Sequence, residues 1–249
     1  MLQRLLKCSS MQKNNIPILS TAILDPELLS KLEAAGVSCD IIPFIRISFI
    51  ENTDQNLEIS KLTSQKTIAV FTSKHAVEAI RNIPGTESAQ WKIYCTGSST
   101  SSLAANIFPN SLMAGTAENA VSLAKLIMEQ EKESSINFFC SEIRRDELPS
   151  LLNQKASVRE WILYKTLPTP EKIEREYQAV LFFSPSAVKS YFSVNDPSSS
   201  NKFFAIGNTT AGAIRPFCKN RIFVAKEASM ESLVDKLIEE FQSLGTGGK

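Results

Sequence analysis

Histidine is almost missing from this sequence: one residue, His75, in 249. Chemistry that needs two imidazoles, such as an HExxH zinc site or a histidine-rich metal centre, is thereby excluded, and a Ser-His-Asp triad could use only His75. No apolar run approaches the roughly 20 residues that a bilayer-crossing helix needs, so no membrane span is expected. The five cysteines, Cys8, Cys39, Cys95, Cys140 and Cys218, are odd in number, scattered and without a CxxC pair. They suit neither a zinc site nor a secreted disulfide framework and point to a reduced, intracellular setting. The nucleotide fingerprints GxGxxG and GxxxxGK[ST] are absent, which disfavours a nucleotide-dependent Rossmann enzyme. No pair of acidic residues stands at matching strand ends, as a Mg²⁺ site would require. Excess charge is missing too. Lys plus Arg is 27 against 26 for Asp plus Glu, a net charge of +1, so no strongly basic nucleic-acid surface is indicated. Residues 1–15 hold Arg4, Lys7 and Lys13 but lack the apolar stretch of about 7–15 residues that marks a secretory signal. That segment reads as a short tail rather than as a transit peptide, and the closing Gly245-Thr246-Gly247-Gly248-Lys249 as a flexible tail.

What is present is an ordinary globular composition, 43% hydrophobic and 21% charged, in a chain long enough for one large domain or two small ones. Short apolar β-type runs alternate with amphipathic helical runs, which predicts an α/β fold with mainly parallel sheets flanked by helices. Predicted strands include Asp40–Ile47, Thr67–Phe71, Lys92–Cys95, Ile136–Cys140, Glu160–Thr166, Ala179–Phe183 and Lys202–Ile206. Predicted helices include Pro26–Ala35, Lys74–Asn82, Ser98–Ile107, Glu118–Glu131 and Pro185–Tyr191.

An internal repeat organises these elements. The stretch around Phe71-Thr72-Ser73 resembles that around Phe183-Ser184-Pro185, with Ser73 and Ser184 offset by 111 residues. Gly97-Ser98-Ser99-Thr100 resembles Gly207-Asn208-Thr209-Thr210 at an offset of 110, and Ala124–Ile127 resembles Asp235–Ile238 at 111. A looser match at 121 residues pairs Asp25, Val37 and Pro43 with Asp146, Val158 and Tyr164. Three ordered matches at nearly one offset predict two similar α/β halves, and a duplicated unit naturally forms a cleft between its copies, where ligand sites concentrate.

The repeated loops follow strand C-termini, the edge at which open α/β sheets bind ligands. Ser73 and Ser184 read as helix N-caps, with Pro185 at the first helical position. The glycines allow close backbone approach, and the hydroxyls and N–H groups after them favour anions. Capping alone explains any single loop; the repetition of all four favours a site. Arg144-Arg145 at a helix start opposes the helix dipole, so it reads either as an anion-binding pair or as a solvated pair bridged to nearby carboxylates. Tyr164 lies on an alternating strand just outside the second half's core, where packing is the default for a phenol. His75 reads as surface.

Taken together, Phe139-Cys-Ser-Glu-Ile-Arg-Arg145-Asp-Glu-Leu148, Tyr164-Lys-Thr166, Phe182-Phe-Ser-Pro-Ser-Ala187 and Ala205-Ile-Gly-Asn-Thr-Thr210 resemble the uroporphyrinogen-III synthase family. The likeness runs from about Ile16 to Phe241. It implies two domains joined by a two-stranded linker with a cleft between them: residues 1–37 with 171–249, residues 46–162, and linker strands 38–45 and 163–170. Pro43 and Tyr164 then fall on the linker. The implied reaction cyclises hydroxymethylbilane, a linear tetrapyrrole with eight carboxylates, and inverts its ring D, without cofactor or metal. The cysteine usage reads as cytoplasmic, and a duplicated cleft makes a monomer sufficient. By the same resemblance Tyr164 assists loss of the hydroxyl. The implied binding set is Thr72, Ser73, Lys74, Gly97, Ser98, Thr100, Ser141, Arg145, Ser184, Pro185, Ser186, Gly207, Asn208, Thr209 and Thr210. Lys74 stands where the family often has proline, Ser141 where it often has glycine, and Ser20-Thr21 lacks the family's basic residue. The alternative is a non-catalytic two-lobed protein that binds an anionic small molecule, which would show the same helix starts but would not need Tyr164.

Overall fold

The computed structural model describes residues 16–132, 135–144 and 146–245. The two tails named above, Cys8 and Arg145 lie outside the described residues, apart from Gly245. The protein divides into two compact units, one holding the chain up to Arg46 and again from Pro168, the other Ile47–Leu167.

The first unit begins with strand β1 (Ile16–Ser20), helix α1 (Pro26–Ala34) and strand β2 (Val37–Ile41). Strand β3 (Ile45–Phe49) leads into the second unit: α2 (Thr53–Leu62), β4 (Ile68–Phe71), α3 (Lys74–Ile80), β5 (Lys92–Thr96), α4 (Ser98–Ile107), β6 (Leu112–Ala117), α5 (Ala120–Gln130), β7 (Ser135–Ser141), α6 (Glu147–Leu152) and β8 (Ser157–Pro168). The first unit then resumes with β9 (Ala179–Phe182), α7 (Pro185–Phe192), β10 (Lys202–Ala205), α8 (Asn208–Ile214), β11 (Ile222–Val224) and α9 (Met230–Gly245).

In the first unit five strands run β11-β10-β9-β1-β2, each neighbouring pair parallel. In the second, six strands run β3-β8-β7-β4-β5-β6, with every pair from β8 to β6 parallel. Read from the other edge, β6-β5-β4-β7-β8 repeats β11-β10-β9-β1-β2 position for position. The 111-residue matches belong to β4–α5 and β9–α9. The 121-residue match belongs to β1–α1–β2 and β7–α6–β8, which come first in one unit and last in the other.

Central strands read as apolar runs because both faces are covered. All four residues of β4 are buried. Ala69 and Phe71 join Trp91, Phe139 and Trp161 on one face, while Ile68 and Val70 join Tyr94, Phe138 and Leu123 on the other. Phe139 stacks between Phe71 at 5.1 Å and Trp91 at 5.7 Å between ring centroids. Such aromatic pairs contribute about 0.5–1.5 kcal/mol each beyond area burial. In the first unit β9 is likewise fully buried between two clusters, one around Leu181 and Phe204, the other around Val180 and Phe182.

Four features differ from the sequence reading. The single strand predicted over Asp40–Ile47 is two strands, β2 and β3, and Pro43 lies between them. Proline brings no N–H to a ladder and restricts the residue before it, so the run breaks there. Helix α2 is not evident in the sequence because its stripe is thin: Ile59 is its one fully buried residue, and its start is set by Asn52, whose side chain accepts the Gln55 N–H at 3.0 Å. Strand β6 escapes the sequence reading because it is a half-exposed edge strand of small residues beside a register shift in β5. Tyr164 is not outside the core: it is 6% exposed and belongs to the cluster that holds Phe71 and Trp161.

Candidate functional site

In the second unit the C-terminal ends of β7, β4 and β5 stand side by side, with Phe139, Phe71 and Cys95 in register. Each strand then delivers a small polar loop to one edge. After β4, Ser73 adopts extended backbone and its hydroxyl accepts the His75 N–H at 3.2 Å. Thr72 and Ser73 are half-buried and Lys74 is exposed. After β5, Gly97 has φ 74 and ψ 147, a region that disfavours side chains, and it starts α4 with no side-chain cap. Ser98 and Ser99 are exposed, whereas Thr100 is 5% exposed.

In the first unit β9 and β10 do the same. Ser184 caps α7, its hydroxyl accepting the Ala187 N–H at 3.1 Å, with Pro185 in the first turn. Gly207 starts α8 with no side-chain cap; Asn208 and Thr209 are exposed and Thr210 is buried. The burial sequence over Thr96–Thr100 is identical to that over Ile206–Thr210. The two kinds of loop therefore divide. Ser73 and Ser184 spend their hydroxyls as caps, the bland role. Gly97 and Gly207 leave helix starts whose N–H groups no side chain of the cap residue occupies, the arrangement that attracts anions.

Tyr164 reaches this edge of the second unit from β8, where it pairs with Ser141 at the end of β7. Burial pushes its phenol above the ordinary tyrosine value, while hydrogen bonding with Ser73 and Ser141 pulls it part of the way back. The His75 ring meets the tyrosine edge-on at 5.7 Å between centroids and its Nδ1 pairs with Glu78 at 2.9 Å. So β4, β7 and β8 bring Ser73, Ser141, His75 and Tyr164 together. The pairing of Ser73 with Tyr164 carries no local signal in the sequence, since 91 positions of chain separate them.

Arg144 takes the bland role: its guanidinium is bidentate on Glu160, with one contact at 2.8 Å, and reaches Asp146 at 3.1 Å. Arg145 lies outside the described residues. Thr21 is buried with its hydroxyl donated to the Leu181 carbonyl at 2.8 Å. The sequence reading also passes over Glu142, whose carboxylate accepts the Thr166 N–H at 3.0 Å. Cavities of about 490, 400 and 200 Å³ lie elsewhere, at the opposite ends of β4 and β5, along α9, and between Lys172–Tyr177 and the chain near Asn195.

The family model described as "HEM4: Uroporphyrinogen-III synthase HemD" matches residues 26–235, most of the chain. The chain belongs to the uroporphyrinogen-III synthase family. That is a family of enzymes of tetrapyrrole biosynthesis, so the non-catalytic binding alternative is set aside. Solved structures agree at the level of fold. A mutant uroporphyrinogen III synthase from the extremely thermophilic bacterium Thermus thermophilus aligns with TM-score 0.65 and 15% identity, covering 92% of this chain and 99% of its own. Uroporphyrinogen-III synthetase from Helicobacter pylori 26695 aligns with TM-score 0.62 and 14% identity, covering 90% and 99%. At such identities the likeness carries the α/β architecture and not the residues of the site. Among the described residues no helix is long and apolar enough to cross a membrane.

Proposed function

We propose that this member of the uroporphyrinogen-III synthase family converts hydroxymethylbilane into uroporphyrinogen III by cyclisation with inversion of ring D. The observation that carries the reading is the duplicated pair of glycine-started, uncapped helices at the ligand edge of each sheet, with identical burial in both units. An eight-carboxylate substrate needs several anion-binding points on a rigid frame, and backbone N–H groups at helix starts provide them without a large positive charge. Gly207 adds support. Its φ of −174 is extended backbone open to any residue, and a Cβ there would meet nothing within 4 Å. Neither conformation nor packing calls for glycine at 207, whereas close approach by a ligand does.

The chemistry asks little of the side chains. The hydroxymethyl C–O bond breaks with its electron pair going to oxygen, and the pyrrole nitrogen supplies the electrons that form the exocyclic double bond of an azafulvene-type cation. The Tyr164 phenol, kept protonated by burial, hydrogen-bonds the leaving oxygen so that it departs as water. The substituted carbon of ring D then attacks the exocyclic carbon, giving a spirocycle that opens and recloses with the ring turned. A proton lost as the last pyrrole regains aromaticity balances the one given to the hydroxide. Catalysis is mainly positioning, a source of up to about 7–11 kcal/mol in well-oriented systems.

The test mixes purified protein with hydroxymethylbilane and resolves the uroporphyrinogen isomers. Type III product formed faster than the spontaneous closure is expected. Type I product alone, at the spontaneous rate, refutes the reading.

A further inference from the structure

His75 stands at the strand-end edge of the second unit, two residues after Ser73. Its Nδ1 lies 2.9 Å from the Glu78 carboxylate, one helical turn on. A carboxylate only accepts, so Nδ1 carries the hydrogen and Nε2 of the neutral ring keeps its lone pair. Nε2 has no hydrogen-bond partner among the described residues and is not shut from solvent; the side chain is 43% exposed. The ring touches Tyr164 edge-on, at 5.7 Å between centroids. A helix-surface pair accounts for the tie to Glu78 but not for a free nitrogen beside the phenol.

The closure described above releases one proton, and a group near the reacting ring has to take it. The Ser73 and Ser141 hydroxyls are very weak bases, and the exposed Lys74 is a cation with donors only. Burial keeps the Tyr164 phenol protonated. Glu142 has one oxygen on the Thr166 N–H and the other closed to solvent, and Arg144 is held by Glu160 and Asp146. The imidazole of the one histidine in the chain remains, and it is the side chain suited to taking a proton near neutral pH.

We infer that His75 is the catalytic base of the second unit, its Nε2 taking the proton that ring D loses at the final closure. This rests on the function proposed above. In that step the unsubstituted carbon of the turned ring D bonds to the exocyclic carbon of the reopened azafulvene-type cation. The C–H bond at the same ring carbon then breaks; its electron pair restores the aromatic pyrrole and its proton passes to Nε2. The imidazolium, paired with Glu78, gives up that proton to replace the one that left Tyr164 with the water, so neither side chain is changed by a turnover. The chemistry asks for the two groups side by side. The hydroxyl leaves the carbon that one end of ring D attacks, and the proton leaves the other end of the same pyrrole. The contact between Tyr164 and His75 places an acid and a base within that span.

The experiment measures kcat, KM and the isomer ratio with hydroxymethylbilane for the native enzyme, His75→Gln, Glu78→Gln and His75→Ala, the last with and without added imidazole, alongside thermal unfolding. His75→Gln keeps a polar side chain that takes up no proton. Its turnover is expected to fall about tenfold or more, with KM within about threefold and unfolding as in the native enzyme. Added imidazole is expected to restore much of the turnover lost in His75→Ala and to leave the native rate unchanged. Glu78→Gln keeps an oxygen for the Nδ1 hydrogen and is expected to lose less than His75→Gln. Native turnover by His75→Gln overturns the proposal while leaving the function intact. A loss in His75→Ala that imidazole does not repair overturns it by making the ring a support for Tyr164, and a larger loss in Glu78→Gln than in His75→Gln overturns it by making the carboxylate the acting group. Should His75→Gln unfold early, the imidazole arm decides, because a ring supplied from solution restores a proton acceptor and not a fold. Type I product alone from the native enzyme removes the function, and this inference with it.

Discussion

Substituting alanine for each of the two repeated glycines separates backbone need from ligand need. Gly97 has φ 74 and ψ 147, where a Cβ is strained regardless of space, and a Cβ there would meet nothing within 4 Å. The whole penalty of Gly97→Ala is thus backbone strain, about 1–3 kcal/mol. For a chain of this length, that lowers the unfolding midpoint by roughly 2–12 °C, at about 2–4 °C per kcal/mol. Gly207 has extended backbone and the same open surroundings, so Gly207→Ala strains nothing in the folded protein. By restricting the unfolded chain it stabilises by about 0.4–1 kcal/mol. If substrate carboxylates approach the backbone at 207, the added methyl intrudes on them, and KM for hydroxymethylbilane rises several-fold. The assay pairs calorimetric unfolding with initial rates across substrate concentration. Gly207→Ala should unfold no earlier than the native enzyme yet bind substrate less well. Native KM for Gly207→Ala would refute the argument that a ligand explains this glycine. A lowered midpoint for Gly207→Ala would refute the reading of its backbone.

Three further outcomes follow from the same geometry. Tyr164→Phe removes one hydroxyl from a packed ring, so the unfolding midpoint should shift by only a few degrees while turnover falls at least tenfold; native turnover would show that the phenol does not assist the leaving group. Burial pushes the Cys95 and Cys140 thiols up to about 12 from an ordinary 9.0. Their contribution to stability is therefore complete below pH 9 and is lost as pH rises toward 12, each thiol lowering unfolding free energy by about 1.4 kcal/mol per pH unit. Urea titrations at pH 8 and pH 10.5 should show that loss, and Cys95→Ala with Cys140→Ala should flatten it, on top of the cavity cost of each substitution. Asn52→Ala removes the side-chain cap of α2 and should cost about 0.5–2 kcal/mol in urea unfolding, without altering KM.

Much of the frame is legible in the sequence because its signals are local and strong. β4 and β9 are short apolar runs followed at once by a capping serine, and both elements stand where Phe71-Thr72-Ser73 and Phe182-Phe183-Ser184 place them. The repeat adds what local patterns lack, since two offsets, 111 and 121, mark two segments per unit that recur in the same sheet positions. What escapes is what depends on tertiary pairing. β6 has no apolar alternation of its own and is a strand because β5 offers it an edge. The burial of Tyr164 depends on β8 continuing to Pro168 beside β7, while its side chain looks, in Trp161-Ile-Leu-Tyr164, like one of several alternating residues. Glu142 follows a strand and precedes two arginines, a context that reads as surface. Only the folded structure shows that Arg144 is engaged elsewhere and that one oxygen of Glu142 is shut from water.

The duplication also explains why one unit, on the proposed reading, carries more of the reaction than the other. Both units keep the same frame for holding anions: a serine-capped helix after one strand and a glycine-started helix after the next. They differ at the segment paired by the 121-residue offset. By sheet register Ser20 and Thr21 at the end of β1 stand level with Phe138 and Phe139, so β7 runs on past that level to Ser141. In the first unit these residues serve the chain itself: Ser20 donates to the Ala22 carbonyl, Thr21 to Leu181, and the Pro43 carbonyl accepts from Thr169. In the second, the longer β7 and its neighbour β8 supply a serine and the phenol on which it acts. A duplicated scaffold needs two anchorages for a long polyanion but only one place where a bond breaks.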